Sequence, residues 1–176
     1  MLLLAFLLFP ALTTAQKDDD HPFHVYAYSG YGFSVEDDTN AFDFSIHSYF
    51  NASYDVTDKF DVGVLAGIDY NVYTPDRTDG IIDFPELLVF VPVGVEVGYS
   101  VSDKFRWTVN GGKAFNANLS EDSQIRDDAT FIATNFAYIS KYAYGAHVGI
   151  KSYNIGDANA IIIQLGLTIK LDLFDF

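Results

Sequence analysis

The feature that most constrains the fold is a sustained alternation of apolar and polar or small residues. Between residues 60 and 72, every even position is apolar, whereas the odd positions are Asp, Gly or Asn, with Leu65 as the exception. Segment 87–99 repeats the pattern with apolar residues at odd positions, and Leu88, Phe90 and Pro92 interrupt it at the start. A period of two places alternate side chains on opposite faces of a β-strand. The chain is therefore predicted to be all-β, with long strands that each have one apolar face.

The same alternation predicts eight strands along the chain. They are expected at about 23–35, 41–55, 60–72, 87–99, 105–116, 129–138, 142–153 and 159–173, with a β-bulge at 111–113. The connections after the second, fourth and sixth strands are short, whereas those after the first, third, fifth and seventh are mostly longer and acidic. Short and long connections therefore lie at opposite ends of an up-and-down meander.

The apolar face distinguishes a membrane barrel from a soluble one. Strands of this length, tilted by about 40°, cross the roughly 25 Å apolar band of an outer membrane. One face is nearly pure Val, Ile, Leu and Phe, and the other carries Gly, Ser, Asn, Asp, Thr and Tyr. The face with polar and small residues suits a hydrogen-bonded lumen, and the apolar face suits contact with lipid. We predict an eight-stranded antiparallel transmembrane β-barrel; a soluble, lipocalin-like periplasmic barrel that binds an apolar ligand inside is the alternative.

The N-terminus has the pattern of a secretory signal. An apolar run at 2–12 is followed by Thr-Thr-Ala, and it is shorter than the roughly 20 residues that a membrane-spanning helix needs. Cleavage is expected after Ala15, although no Lys or Arg precedes the run. The predicted organisation is a cleaved signal peptide at 1–15, a periplasmic segment at 16–22 and the barrel at 23–176.

The composition limits the partners. The chain has 24 acidic and 10 basic residues, a formal net charge of −14 and no cysteine. This charge opposes binding to nucleic acid and leaves divalent cations as plausible partners. The acidic residues at 36–38, 76–83 and 121–128 lack the spacing of a dedicated calcium loop. We therefore expect no cofactor and no dedicated metal site.

With these features the chain resembles the small eight-stranded outer-membrane barrels of Gram-negative bacteria. This family includes the OmpA transmembrane domain and the OmpX/Ail proteins. The resemblance covers 16–176 and rests on the eight strands, three short turns, four longer acidic loops and the terminal Phe176. It implies a porin-like monomer in the bacterial outer membrane, with short turns in the periplasm and long loops outside. It also implies contact with outer-membrane lipids, with lipopolysaccharide and its bridging divalent cations, and with the assembly machinery. Phe176 has the wrong parity for the lipid face of the last strand, so either a bulge near Phe174 or an atypical end signal is expected.

Charged residues at inward positions form the first candidate site. Besides Asp61, a polar network in the lumen is predicted from Asp43, His47, Asp69, Glu96, Arg106, Lys151 and Lys170. A charge in a narrow barrel is costly unless it is paired, so ion pairs that fill the lumen are the leading interpretation and a narrow pore is the alternative. If Tyr99 faces Phe105, Glu96 lies opposite Thr108 and within reach of Arg106.

A second candidate site is the row Asp43, Ser45 and His47, with Asp69 expected across from Ser45. This row suggests a hydrolase that modifies lipid A. Alternate residues on one strand are about 6.5 to 7 Å apart, however, which is too far for a direct Ser-His relay. The protein is therefore predicted to be non-enzymatic, with no catalytic residues, and the lipid-A-modifying enzyme remains an alternative.

The heptapeptides YDVTDKF at 54–60 and YSVSDKF at 99–105 are near repeats. Each is interpreted as a tight periplasmic turn between two interfacial aromatics, and this predicts a membrane-interface girdle of Tyr54, Phe60, Tyr99 and Phe105. The predicted function is an outer-membrane barrel that contributes to envelope integrity or surface interaction through its acidic extracellular loops. These loops are longer than the turns but short for a large adhesive surface.

Overall fold

The computed structural model describes residues 22–35, 43–73, 86–118, 127–156 and 158–171. The predicted signal peptide and its cleavage site, most of the long acidic loops, Phe176 and the bulge expected near Phe174 lie outside the described residues. The described part of the chain contains no helix that is long and apolar enough to cross a membrane.

Eight antiparallel strands form a closed barrel in chain order. The strands are β1 (Phe23–Ser34), β2 (Phe44–Asp55), β3 (Phe60–Tyr73), β4 (Glu86–Ser102), β5 (Phe105–Asn116), β6 (Ala129–Ile139), β7 (Tyr144–Ile155) and β8 (Ala158–Lys170). The predicted all-β meander is confirmed, because every neighbour in sequence is a neighbour in space and β8 pairs with β1. Closure leaves no exposed edge strand.

The register of the pairs sets the shape of the barrel. One row of paired residues runs through His24, Ser53, Gly63, Glu96, Asn110, Ala133, Lys151 and Ile162, and it returns to β1 at Ser34. From His24 to Ser34 the row has moved 10 residues along β1 (34 minus 24). With ordinary strand rise and spacing, this shift corresponds to a strand tilt of about 40°.

The two faces of the barrel differ as the alternation predicted. On the outside, Val64 is 61% exposed and Val95 is 65% exposed, whereas on the inside Asp69 and Glu96 are each 2% exposed. A lipocalin-like barrel requires the opposite arrangement, with its apolar face around the ligand. The observed arrangement is that of a barrel surrounded by lipid.

At the end where the long loops begin, the lumen contains an apolar cluster beside the buried Ser45 and Asn71. Five side chains at that end, Leu88, Phe90, Tyr153, Ile155 and Ile162, are each 5% exposed or less. The rings of Phe90 and Tyr153 stack with their centroids 5.7 Å apart. This cluster, called the loop-end plug below, lies in the lumen on the side opposite the short turns.

The strand irregularity is not where the sequence predicted it. Residues 111–113 pair regularly with both neighbouring strands, so the bulge expected there is wrong. The register shifts instead in β4, between residues 100 and 102. Tyr99 lies opposite Trp107 and not opposite Phe105, because β4 extends to Ser102 and Phe105 pairs with that residue.

Candidate functional site

Arg106 is the centre of a buried network near the short turns. Its Nη1 donates to Glu96 Oε1 at 2.9 Å and to the Tyr28 hydroxyl at 2.7 Å. Its Nε donates to Asp61 Oδ2 at 3.1 Å, and Nη2 also bonds to Asp61 Oδ1. Asn110 donates to the second Glu96 oxygen at 3.1 Å. One planar guanidinium thus holds two carboxylates from adjacent strands and a tyrosine from across the lumen.

The predicted contact between Arg106 and Glu96 forms, although the register of β4 and β5 differs from the predicted one. Glu96 lies opposite Asn110 and not, as predicted, opposite Thr108, whereas Arg106 lies opposite Ser100. Arg106 still reaches Glu96, because the arginine side chain is long enough to bridge the extra two residues of separation.

Lys151 is the centre of a second network, nearer the loop-end plug. Its Nζ donates to Asp69 Oδ2 at 2.7 Å and to the Tyr49 hydroxyl at 2.8 Å. The hydroxyls of Tyr49 and Tyr153 both donate to Asp69, and Gln164 donates to the Tyr49 hydroxyl at 3.2 Å. The ammonium also lies 4.5 Å and 4.6 Å from the ring centroids of Tyr49 and Tyr153. The buried charge is therefore paired and surrounded by π-faces.

Two histidines connect these networks. The Nε2 atoms of His47 and His147 are 3.1 Å apart, and His147 Nδ1 lies 3.1 Å from Thr168 Oγ1. His147 meets the edge of Tyr28, whose hydroxyl bonds to Arg106. His47 stacks on Tyr49 of the lysine network, with ring centroids 5.2 Å apart. The arginine and lysine networks are thus joined by a continuous set of contacts through the two histidines.

The Asp-Ser-His row does not form a relay. His47, not Ser45, lies opposite Asp69. Ser45 Oγ is buried and has no hydrogen-bond partner in the described part of the chain. Asp43 precedes β2 and is exposed, because the strand begins later than the predicted residue 41. These positions give Ser45 no general base, which nucleophilic catalysis requires.

The other predicted lumen residues differ in position. His47, Asp69, Glu96, Arg106 and Lys151 lie in the networks, whereas Lys170 is half-buried near the short turns, 6.0 Å from the centroid of the Tyr26 ring. Sequence reasoning missed the lumen tyrosines Tyr28, Tyr49 and Tyr153, although their inward parity could have identified them. Within the described ranges, no three His, Asp or Glu residues could together hold a metal ion.

The four predicted interface aromatics all lie on the outer surface near the short turns. Phe60 packs against Tyr99 with ring centroids 4.9 Å apart, and Phe105 lies 5.3 Å from Tyr138. Tyr54 is 55% exposed on the same side. Further rings at this end belong to Trp107, Phe136, Tyr142 and Tyr144. A surface belt of this kind is where the membrane interface is expected.

Replacing both Phe60 and Phe105 by Asp is expected to impair membrane assembly. The two carboxylates would stand where rings now pack against Tyr99 and Tyr138 at the border of the apolar band. The measurement is the fraction of protein that migrates differently in unboiled and boiled samples on SDS gels after refolding into vesicles. The Phe60→Leu/Phe105→Leu variant, which keeps the apolar area, should assemble almost normally. Normal insertion of the Asp variant would contradict the predicted girdle.

Comparison with known structures supports the architecture, although the sequence identities are low. No family model matches this chain, and no curated protein matches it either. Among solved structures, Ail of Yersinia pestis in a phospholipid nanodisc aligns with a TM-score of 0.55 at 10% identity, over 84% of this chain and 99% of that one. OprG of Pseudomonas aeruginosa gives 0.50 at 10% identity, over 86% and 97%. A designed transmembrane β-barrel gives 0.52 at 14% identity, over 88% and 100%.

These identities are low, so the likeness concerns the fold. Each of the three proteins is a membrane barrel, and this chain shares their closed meander and presents an apolar surface outward. The likeness supports the barrel fold predicted from the sequence. The resemblance is confirmed: the chain has the fold of the small eight-stranded outer-membrane β-barrels.

Proposed function

We propose that this protein is a monomeric, non-enzymatic barrel of the outer membrane that contributes to envelope integrity or to surface interaction. The observation that carries the proposal is the combination of an apolar outer face with buried, paired charges in the lumen. Such a lumen stabilises the wall of the barrel and leaves recognition to the loops. The short turns would face the periplasm and the acidic loops the exterior.

The buried side chains in the lumen are our reason for proposing a structural role and not a pore. Arg106 and its partners fill the lumen near the short turns, and Leu88 and Phe90 are fully buried at the other end. A barrel of eight strands has an interior that side chains can fill. An ion would have to cross both a paired charge network and an apolar plug.

The acidic loops are the proposed contact surface. At the base of the loop between β5 and β6, Lys113 Nζ lies 2.7 Å from Asp128, and the backbone N–H of Asn116 donates to Asp128 at 3.0 Å. These two hydrogen bonds lower the pKa of the exposed Asp128 carboxyl. Loop carboxylates that stay ionised could bind divalent cations shared with lipopolysaccharide phosphates. Outer-membrane lipids, lipopolysaccharide and the assembly machinery are therefore the proposed partners.

Two measurements test the proposal. The refolded protein should migrate differently in boiled and unboiled samples on SDS gels and should fractionate with membranes, and it should show no steady conductance in planar bilayers. Identical migration together with recovery in the soluble fraction would contradict the membrane barrel. A stable ion current in the correctly folded protein would contradict the closed lumen and favour the narrow pore.

The role in the envelope has its own test. Deletion of the gene in its host should increase sensitivity to detergents or to chelation of divalent cations, and the intact gene should restore resistance. A chain whose acidic loop residues are replaced by Asn and Gln should fold but fail to restore it. Unchanged sensitivity of the deletion strain would contradict a role in integrity and leave surface interaction as the proposal.

A further inference from the structure

An apolar groove of about 680 Å³ crosses the outer face of the barrel from β4 to β8. One wall follows a row of paired residues, Tyr99, Trp107, Phe136 and Val148, and the groove reaches Ile163 on β8. The groove lies on the surface that faces lipid in the proposed function.

Thr134 and Trp107 meet on the surface of the groove, and the indole N–H of Trp107 is hydrogen-bonded. Thr134 stands on β6 between the larger Ile132 and Phe136, which leaves a depression in the outward row. Trp107 Nε1 donates to Thr134 Oγ1 at 2.7 Å, and Thr134 Oγ1 donates to the Thr108 carbonyl at 3.1 Å. Because its N–H is satisfied within the protein, the indole does not need interfacial water and can form an apolar wall.

The groove begins at the end of the barrel with the short turns. Val101, next to the turn between β4 and β5, lines its lower end, and Ile163, in the middle part of β8, lines its upper end. Four interstrand steps separate these strands, a distance of about 19 Å across the surface. Since the strands are tilted, this path also rises from the turn end toward the middle of the apolar band. Its length and direction suit an extended hydrocarbon chain anchored at the turn end.

Two lysines lie in the turns next to the strands that line the lower end of the groove. Lys104 lies in the turn between β4 and β5, Lys141 lies in the turn between β6 and β7, and both are exposed. The Ile139 N–H donates to the Lys104 carbonyl at 2.7 Å, so the two turns are neighbours. Asp103 offsets part of this charge, but the turn at 140–143 carries no acid. This contrasts with the chain as a whole, whose net charge is −14.

We propose that the groove binds one acyl chain of an anionic phospholipid, whose phosphate lies between Lys104 and Lys141. The proposal rests on the proposed function, because it requires a barrel inserted with its short turns in the periplasmic leaflet. The apolar walls account for the acyl chain, and the lysine pair accounts for the negative headgroup. Lipopolysaccharide phosphates would instead lie at the other end, beside the acidic loops. A basic residue near a membrane surface favours an anionic lipid about five-fold; because Asp103 offsets one of the two lysines, a preference of this order is expected.

The single tryptophan of the chain makes the site directly observable. The full-length protein is refolded into phosphatidylcholine vesicles that contain a small, equal fraction of either brominated phosphatidylglycerol or brominated phosphatidylcholine. Brominated phosphatidylglycerol should quench Trp107 fluorescence as strongly as about a five-fold larger fraction of brominated phosphatidylcholine would. High salt should reduce this difference between the two lipids. Lys104→Gln/Lys141→Gln should abolish the difference between the two lipids. Lys59→Gln, in the turn between β2 and β3, should keep it.

A second pair of variants tests the groove itself. Val148→Phe should narrow the groove and reduce quenching by the anionic lipid, whereas Val64→Phe, on the outer face of β3, should not. Equal quenching of the parent protein by both lipids would overturn the site. The site would also be overturned if quenching fell as protein was added to a fixed amount of lipid and if cross-linking gave dimers. That result would assign the groove to contact with a second copy of the protein. In either case, heat-modifiable migration on gels shows independently whether the membrane barrel itself stands.

Discussion

Replacing Arg106 by Met is expected to lower the free energy of unfolding by about 3 to 5 kcal/mol, the cost of breaking a buried ion pair by removing one partner. Arg106 is 3% exposed, and both carboxylates that it binds, Asp61 and Glu96, are similarly buried. Without the guanidinium, two negative charges would face each other inside the barrel, and Tyr28 would lose its donor. The measurement is equilibrium unfolding by urea or guanidinium chloride of protein refolded in vesicles.

The expected loss comes from unpaired charge, and two further variants test this origin. Arg106→Met/Asp61→Asn/Glu96→Gln removes all three charges, so it should recover most of the lost stability. Arg106→Lys keeps the charge but not the planar fork that reaches both carboxylates, so it should be intermediate. If Arg106→Met were as stable as the parent, the network would contribute little and the filled lumen would need another explanation.

Replacing Val95 by Arg is expected to cost about 2 to 4 kcal/mol and to reduce insertion, because a charge near the membrane midplane must leave water. Val95 is 65% exposed on the outer face of β4, well inside the strand. Val101 lies on the same strand next to the short turn and is 53% exposed. Val101→Arg should therefore cost only about 0 to 1 kcal/mol, since its charge can reach the interface.

This pair distinguishes a membrane barrel from a soluble one. In a soluble protein both valines would be surface residues, and each substitution would change stability by about 0.5 kcal/mol or less. Unfolding in vesicles and the fraction of gel-shifted protein measure the difference. Equal tolerance of the two arginines would contradict the lipid-facing assignment of β4.

The sequence predicted which way each side chain points better than it predicted which residues meet. It placed Asp69 across from Ser45 and Tyr99 across from Phe105, whereas the structure pairs Asp69 with His47 and Tyr99 with Trp107. Both errors are shifts of two residues. A shift of two keeps every side chain on its own face, so an alternating pattern cannot detect it. Register depends here on the turns and on the bulge in β4, which leave no periodic trace.

The contacts of the lumen were less predictable than its charges. Inward parity identified Asp69, Glu96, Arg106 and Lys151, because a charged residue in a narrow barrel needs a partner. Which carboxylate pairs with which cation depends on the tilt of the strands, and the alternation does not report the tilt. The loop-end plug was also missed, since Leu88 and Phe90 looked like mere interruptions of the pattern in β4.

The networks in the lumen also bear on how the barrel folds. Arg106 bonds to Tyr28, 78 residues away, and Lys151 bonds to Tyr49, 102 residues away. Contacts so distant in sequence give a high contact order, and their loop-closure entropy must be overcome before they contribute. Neither cation can reach these partners until the sheet curls and β8 meets β1. Barrel closure and neutralisation of the buried charges should therefore occur in one late, cooperative step, with hairpins such as β3–β4 forming earlier.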